Sequence, residues 1–541
     1  MMFEVKKRDT LARTGIFTHD GRTLLTPDVI DAAELFPALA DSCCDNVPLP
    51  ADPEFVDRYL PRRNDPTVVH PAIPATAESG FAVMVPCWHT AFENPRNYVR
   101  WLVGLKERLP PDTAWFTPGS ALPSRVHILC YSGFDLFDFT AVDLASAKNL
   151  FCTPEGEFPA EMMDSGVCNC EGCRSRDLRM HNRLSLVTEV RLVSWFVAAS
   201  RLRELVEARC RLHSAHVAIL RHLDNHYQFM ERNAPAARSV PLGATTGEVL
   251  RRAEVIRFAD RVCNRYRPPK GETVVLLPCS AKKPYSLSRS HSQLKAAVGG
   301  RAVELIVTSP LGLVPRELEM VYPAAHYDVP VTGYWDREEL SFAADVLYRY
   351  LIKNPPGRVL AHLEGGALES ARMAADSAGV ALEVTCTRHP LAAESLAALD
   401  EALAGERKVA HNIFRGTASW QFGCGIDCSA LQVRGRYPRL MASVNRRPYF
   451  SIDTGTGLLR PTLEGWNLIP GVYRVTMADF DLKGDILAPG VTNADPQIRP
   501  GDEVLVEGPA LRATGKAMMS AHEMLGSKRG VAVRVRKIKR G

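Results

Sequence analysis

Apolar and polar positions change period several times along the chain. Arg125-Val126-His127-Ile128-Leu129-Cys130 is a short apolar run that predicts a strand, whereas Leu184 to Arg209 carries apolar residues at helical spacing. The mixture predicts an α/β domain over residues 1–265. Asn264-Arg265-Tyr266-Arg267-Pro268-Pro269-Lys270-Gly271 is a polar, proline-marked break, and the apolar run Thr273-Val274-Val275-Leu276-Leu277 follows it. Strand-like runs at Val303–Val307, Val359–Leu363 and Leu382–Thr385 then alternate with helical patterns such as Glu338 to Ile352. That alternation predicts a second α/β domain over 271–400 with a mainly parallel sheet. Residues 401–458, with several glycines and Tyr449-Phe450-Ser451-Ile452, predict a small α+β connector. From 459 to 541, short β-type runs broken by turns predict a small β-barrel.

The last strand-like run, Val531 to Arg536, puts its valines on one face and Arg534 and Arg536 on the other, because strand side chains alternate. From Lys528 to Gly541 the chain has seven basic residues and no acidic one. The net charge of +5 is small for 541 residues, so it is this local concentration that points to a phosphate-bearing partner. Length alone favours three or four domains. A composition 46% hydrophobic and 23% charged is that of a folded globular protein.

No stretch has the apolar length of a membrane helix, and Met1 to Arg8 lacks a basic region followed by an apolar one. A cytoplasmic protein without a membrane partner is expected. The 14 cysteines then read as metal ligands, reactive thiols and small core residues rather than disulfides.

Cys168-Asn169-Cys170-Glu171-Gly172-Cys173 packs three thiols into six residues, a spacing suited to a closed, structural, tetrahedral zinc site. His181 is the nearest imidazole for the fourth position; His213, His216 and Cys210 are alternatives. Cys279 follows an apolar strand directly, so in an α/β fold it lies at the strand's carboxyl end, where ligands bind. Lys282, Lys283 and His291 are cationic neighbours able to lower a thiol pKa, and His291 can also move protons. The plain alternative is a small buried core cysteine. A second polar, proline-marked segment, Thr308 to Glu319, also follows a strand, and Tyr322 to Asp328 comes after it. These segments can face the same crevice, whereas helix capping and surface ion pairing are the alternative for Glu317, Glu319, His326 and Asp328.

Pro278-Cys279-Ser280-Ala281-Lys282-Lys283-Pro284-Tyr285, continued through Ser288, Ser290 and His291, resembles the signature of the archaeosine synthases, archaeal relatives of tRNA-guanine transglycosylase. Thr308–Glu319 and Tyr322–Thr332 also resemble the core domain of that family. Phe3–Lys6, Gly133–Asp138 and the cysteine cluster with His181-Asn182 resemble a degenerate transglycosylase (β/α) barrel, in which Asp138 matches the nucleophile. The section is short for eight strands, and the Asp-Ser-Gly-(Gly/Ser)-Phe-Gln segment of the partner aspartate is missing. Asp485–Val491, Ile498–Val504 and Gly515-Lys516-Ala517 resemble a PUA module, a β-barrel that binds structured RNA.

The resemblance implies a transferase that modifies 7-cyano-7-deazaguanine at position 15 of the tRNA D-loop. Cys279 would form a thioimidate with the nitrile, and a lysine or glutamine nitrogen would displace it. Cys279, Lys282, Lys283 and His291 are then the catalytic candidates. Ser280, Tyr285, Ser309, Glu317, His326 and Asp328 are candidates for binding substrate, and Lys516, Arg534 and Arg536 for binding RNA. With lysine as donor, a separate radical-SAM enzyme is the implied partner, because the close cysteine triplet here lacks the iron–sulfur spacing. Zinc is the expected cofactor, no organic cofactor is evident, and a homodimer is compatible. The competing readings are base exchange through Asp138 and a non-catalytic RNA-binding protein.

Overall fold

The computed structural model describes residues 2–37, 52–59, 66–72, 82–86, 88–329 and 334–540. Pro330 to Thr332, the end of one family-like segment, lie outside them. The chain forms two compact units: Met1–Pro235 with Asp481–Pro500 and Met518–Arg534, and Ala236–Phe480 with Gly501–Ala517 and Val535–Gly541.

The first unit opens with an antiparallel meander, Met2–Asp9, Ala12–His19 and Arg22–Thr26. A five-stranded parallel sheet follows, ordered Asp28–Ile30, Leu136–Asp138, Ala114–Phe116, Ala82–Met84, Thr67–Val68. Its first strand in sequence pairs with its last, as in a parallel barrel, while Asp28–Ile30 and Thr67–Val68 are its two edges among the described residues. Each strand is short, and Ala82–Met84, Ala114–Phe116 and Leu136–Asp138 are buried throughout.

Two expectations for this unit are corrected. Val126–Tyr131 is a helix, not a strand; all six of its side chains are buried, so its apolar run carries no period by which to tell the two apart. The helical stretch from Leu184 is two helices, Leu178–Ala198 and Leu202–Cys210. Ser200 between them has φ +58°, outside helical backbone, and the second helix is started by Asp9, which accepts from the Leu202 amide at 2.8 Å.

The second unit begins at Ala236, ahead of the Pro268-Pro269 break, because helix Ala253–Asn264 packs on helix Arg337–Lys353 within it. Its main sheet is ordered Gly312–Pro315, Val303–Thr308, Thr273–Pro278, Arg358–Ala361, Leu382–Val384. The last four are parallel, and Gly312–Pro315 runs antiparallel at the edge. Thr273–Pro278 is central, with Leu276 level with Leu305 and Ala361. Helix Arg337–Lys353 is fixed at its start by a capping box between Asp336 and Glu339, and it buries Ala343, Val346, Leu347, Tyr350 and Leu351 along one stripe.

After this sheet come helix Ile413–Phe422 and a four-stranded antiparallel meander, Gln432–Arg436 to Leu459–Pro461. Within the second unit, Arg474–Met477 pairs parallel with Glu503–Gly508, which pairs antiparallel with Leu511–Ala517. Within the first, Ile486–Leu487 pairs antiparallel with the beginning of Val531–Arg540. Among the described residues, no helix is long and apolar enough to cross a membrane.

Candidate active site and metal centre

The central strand ends at Pro278, and the next residue, Cys279, is exposed at its carboxyl end. In a parallel sheet this edge leaves room for a ligand, because the loops leave it to either side. A cavity of about 590 Å³ opens there. Cys279 lines it with Ser309 and Pro310, which end the neighbouring strand Val303–Thr308. Glu364, Gly365 and Gly366, which follow the strand on the other side, open helix Gly365–Ala378 on the same cavity. Trp335, Asp336 and Glu339 form a further wall. Gly366 is required there, since a Cβ would stand 2.8 Å from the Trp335 side chain.

Lys283 is the cation beside Cys279. Its ammonium lies 3.8 Å from the centre of the Tyr327 ring. Burial lowers its pKa, and the charges of Cys279 and Asp328 oppose that shift. Lys282 is exposed, and Ser280 is turned into its own loop, its hydroxyl donating to the Lys282 carbonyl at 2.9 Å. Beneath the thiol, the Tyr285 and Tyr327 hydroxyls are 2.9 Å apart, and Tyr327 bonds Thr308 Oγ1 at 2.7 Å. Burial, reinforced by nearby negative charge, pushes both phenols up, so both stay neutral.

His291 lies in the first turn of helix Arg289–Val298, buried, with its ring stacked 5.3 Å from that of Tyr285. Its Nδ1 accepts from the Arg316 guanidinium at 3.0 Å. Burial and that guanidinium hold its pKa down to about 3. At neutral pH His291 is therefore an uncharged imidazole, and Lys283 supplies the positive charge near the thiol.

The remaining candidates divide. Ser309 lines the cavity and donates to Glu339 at 2.5 Å; Asp328 is exposed near Lys283. Glu317 and His326, like Lys282, Lys283, Tyr285, His291 and Asp328, are not among the residues that line the cavity. Glu317 is buried between Tyr266, which donates to it at 2.6 Å, and His411, whose Nδ1 is 2.6 Å away. His326 is half-buried on the side of Asp453, its pKa lowered by burial. Sequence reasoning passed over Trp335, Glu364 and the Gly365-Gly366 pair. The signal for the last was available: two glycines just after the apolar run Val359–Leu363 mark a strand-to-helix turn.

In the first unit the ligand atoms of Cys168, Cys170, Cys173 and His181 all lie within 4.8 Å of one another. His181 Nδ1 is 3.4 Å from Cys170 Sγ and 3.3 Å from Cys173 Sγ. Its Nε2 donates to the Cys152 carbonyl at 3.1 Å, which fixes the tautomer whose Nδ1 lone pair faces the thiols. Three thiolates and one neutral imidazole suit a closed tetrahedral ion. Gly172 makes the approach possible, since a Cβ there would stand 2.3 Å from the His181 amide nitrogen. The alternative ligands gather elsewhere: Cys210 Sγ is 3.7 Å from His127 Nε2, and the rings of His213 and His216 are 4.6 Å apart.

Asp138 ends its strand with its carboxylate committed. It accepts from the Gly119 amide at 2.8 Å and from the Thr140 amide and hydroxyl at 3.3 and 2.9 Å. Burial raises its pKa against those bonds. Of the RNA-binding candidates, Arg534 is exposed, Lys516 stands opposite Glu503 in the strand register, and Arg536 pairs with Glu503 at 2.7 Å.

Archaeosine synthase subunit alpha of Methanosarcina acetivorans is 37% identical over 490 residues, covering 83% of this chain and 78% of the relative. Archaeosine synthase of Haloferax volcanii is 39% identical over 460 residues, covering 81% and 79%. The chain belongs to the archaeosine synthase family. Residues 255–403 of this chain, which hold Cys279 and the sheet beneath it, match a domain of unknown function (DUF5591). Residues 476–539 match the PUA domain, in agreement with the β-barrel expected of the C-terminal segment. A tRNA-guanine(15) transglycosylase of Methanobrevibacter smithii is more distant, 27% identical over 474 residues, covering 79% and 67%.

Proposed function

We propose that this archaeosine synthase homologue transfers an amine to the nitrile of 7-cyano-7-deazaguanine at position 15 in the D-loop of tRNA, through a thioimidate on Cys279. Family membership and the PUA domain make it a tRNA-modifying enzyme of archaeosine biosynthesis. The observation that carries the finer reading is Cys279 itself: exposed at the end of the central strand, on a cavity, and coupled to the Lys283 ammonium.

In the first step the Cys279 thiolate adds to the nitrile carbon. A carbon–sulfur bond forms, the triple bond becomes a double bond, and the Lys283 ammonium gives its proton to the nitrile nitrogen. In the second, the donor amine adds to the same carbon while neutral Lys283 takes up its proton. The carbon–sulfur bond breaks, and an amidine and the Cys279 thiolate remain. Asp336, Glu339 and Glu364 give the cavity a negative wall, which suits the ammonium group of a free amino acid such as lysine or glutamine. If lysine is the donor, a radical-SAM enzyme would cleave the adduct. His291, neutral and bonded to Arg316, positions the Cys279 segment through its stacking on Tyr285. The metal cluster is assigned to a structural zinc ion, held by Cys168, Cys170, Cys173 and His181.

The test is mass spectrometry of nucleosides after incubating the protein with tRNA containing cyano-deazaguanine and either lysine or glutamine. One donor should add its mass. Cys279→Ser should abolish the adduct and leave tRNA binding nearly intact; full turnover by that variant would rule the mechanism out.

A further inference from the structure

A second cavity, of about 50 Å³, lies in the first unit, far larger than the roughly 10–15 Å³ that one water needs. Its walls carry Arg8, Arg13, Lys106 and Arg232, together with His522, whose pKa burial lowers, and the carboxylate of Glu523. Arg13 is engaged at all three nitrogens, by Asp135 and by the carbonyls of Pro111 and Thr113. The others are not. Lys106, on helix Pro95–Arg108, donates to the Gly133 carbonyl at 3.0 Å and lies 3.5 Å from the centre of the Trp115 ring, and neither partner carries a formal charge. Arg8 pairs one nitrogen with Glu523 at 2.6 Å, which leaves its buried Nη2 without a hydrogen-bond partner. Arg232 reaches Glu107 at 3.3 Å, and its buried Nε has no partner.

Leaving buried charged donors unpaired is costly, so a cavity that gathers two guanidinium groups with unpartnered nitrogens around the Lys106 amine, whose hydrogen bond goes to a carbonyl, favours an anion. Burial lowers the pKa of Arg8 and Lys106, and the nearby Arg13 adds to both shifts, while Glu523 opposes the first and Asp135 opposes both. We propose that this cavity binds a phosphate-type oxyanion through Lys106, Arg8 and Arg232. The oxyanion is a phosphodiester of bound RNA or free phosphate; its size and its several acceptor oxygens match the unpaired donors. The site is separate from the Cys279 cavity, so its failure leaves the proposed amine transfer untouched.

The experiment uses the full chain and two variants, Lys106→Met, which keeps the stem packed on Trp115, and Arg232→Gln at the cavity wall. Thermal unfolding is compared in inorganic phosphate and in chloride at equal ionic strength, and tRNA affinity is measured across a salt series. A free-phosphate site gives the wild-type protein a phosphate-specific rise in Tm that both variants lose, with tRNA affinity unchanged. An RNA phosphodiester site gives variants that bind tRNA about tenfold more weakly, with a salt slope shallower by about one. The proposal is overturned if both variants bind tRNA as the wild type does and either the wild type gains nothing from phosphate or the gain persists in both variants.

Discussion

The ammonium of Lys283 sits over the Tyr327 ring, half out of water, and that position lowers its pKa below that of a free lysine. If Lys283 is the proton source for the nitrile nitrogen, its protonated form is the active one, so turnover falls on the basic side at a lower pH than an ordinary lysine would give. Lys283→Arg keeps its proton far higher and should move that basic limb upward in a kcat profile, while Lys283→Met should cost about 10²–10⁴-fold in rate. A limb that stays in place in the arginine variant would remove Lys283 from the proton transfer. Glu317, in the second polar segment, lies in a buried pair instead. Its partner His411 is 94 positions away in sequence, so no local pattern announced the pair. Placed between Tyr266 and His411, Glu317 holds the fold, and Glu317→Gln should destabilise the protein by about 3 kcal/mol in urea unfolding. The His411 pKa is raised by the Glu317 carboxylate, against the effect of burial. The pair therefore stabilises fully below the unfolded histidine pKa of about 6.5, and that contribution is lost as pH rises through the folded value.

At the scale of elements, legibility followed how much local chemistry each one carried. The strand Thr273–Pro278 and the place of Cys279 at its end were readable because an apolar run stops at a proline and a polar segment follows. The cysteine loop was readable as a candidate metal site because three thiols in six residues have few other uses, and the ligand atoms of Cys168, Cys170, Cys173 and His181 do gather. Helix Val126–Tyr131 was not, since burial on every side erases the period. The helices that bring His127, His213 and His216 together meet only through tertiary packing. That cluster has its own consequence. Burial, with help from neighbouring cationic groups, lowers the His127 pKa well below its usual value and that of His216 to about 3. Both are neutral when folded, so the unfolded chain binds more protons as pH falls below about 6.5. The His216 contribution is complete above that value and declines toward pH 3, by about 1.4 kcal/mol per pH unit, and that of His127 is lost on the same acid side. Replacing His216 with Leu should flatten the acid limb of urea stability against pH, and an unchanged slope would show that these histidines do not set it. The metal loop predicts a different loss. Gly172→Ala forces a side chain into the His181 amide, so metal content should fall and Tm should drop toward that of the chelated wild type.

Across the whole molecule, the proposed chemistry and the PUA domain fall on different stretches of one chain, with Cys279 in the stretch 255–403 and the PUA domain at 476–539. A PUA domain grips RNA by phosphate and shape, whereas a modified base must leave its stack before a thiol at a strand end can reach it. The two tasks should therefore separate in mutants, but not every basic residue at the C-terminus should behave alike. Arg534 is exposed, so Arg534→Ala should weaken tRNA binding and make its salt dependence shallower by about one, with kcat at saturating tRNA unchanged. Arg536 already answers the buried carboxylate of Glu503, whose pKa burial raises despite that partner. Removing it strands that carboxylate, so Arg536→Ala should lower Tm before it lowers affinity. The paired measurement, Tm beside the salt slope of tRNA binding for each arginine, decides the matter: equal salt effects and equal Tm for the two variants would mean that the basic strand acts as one undivided phosphate surface.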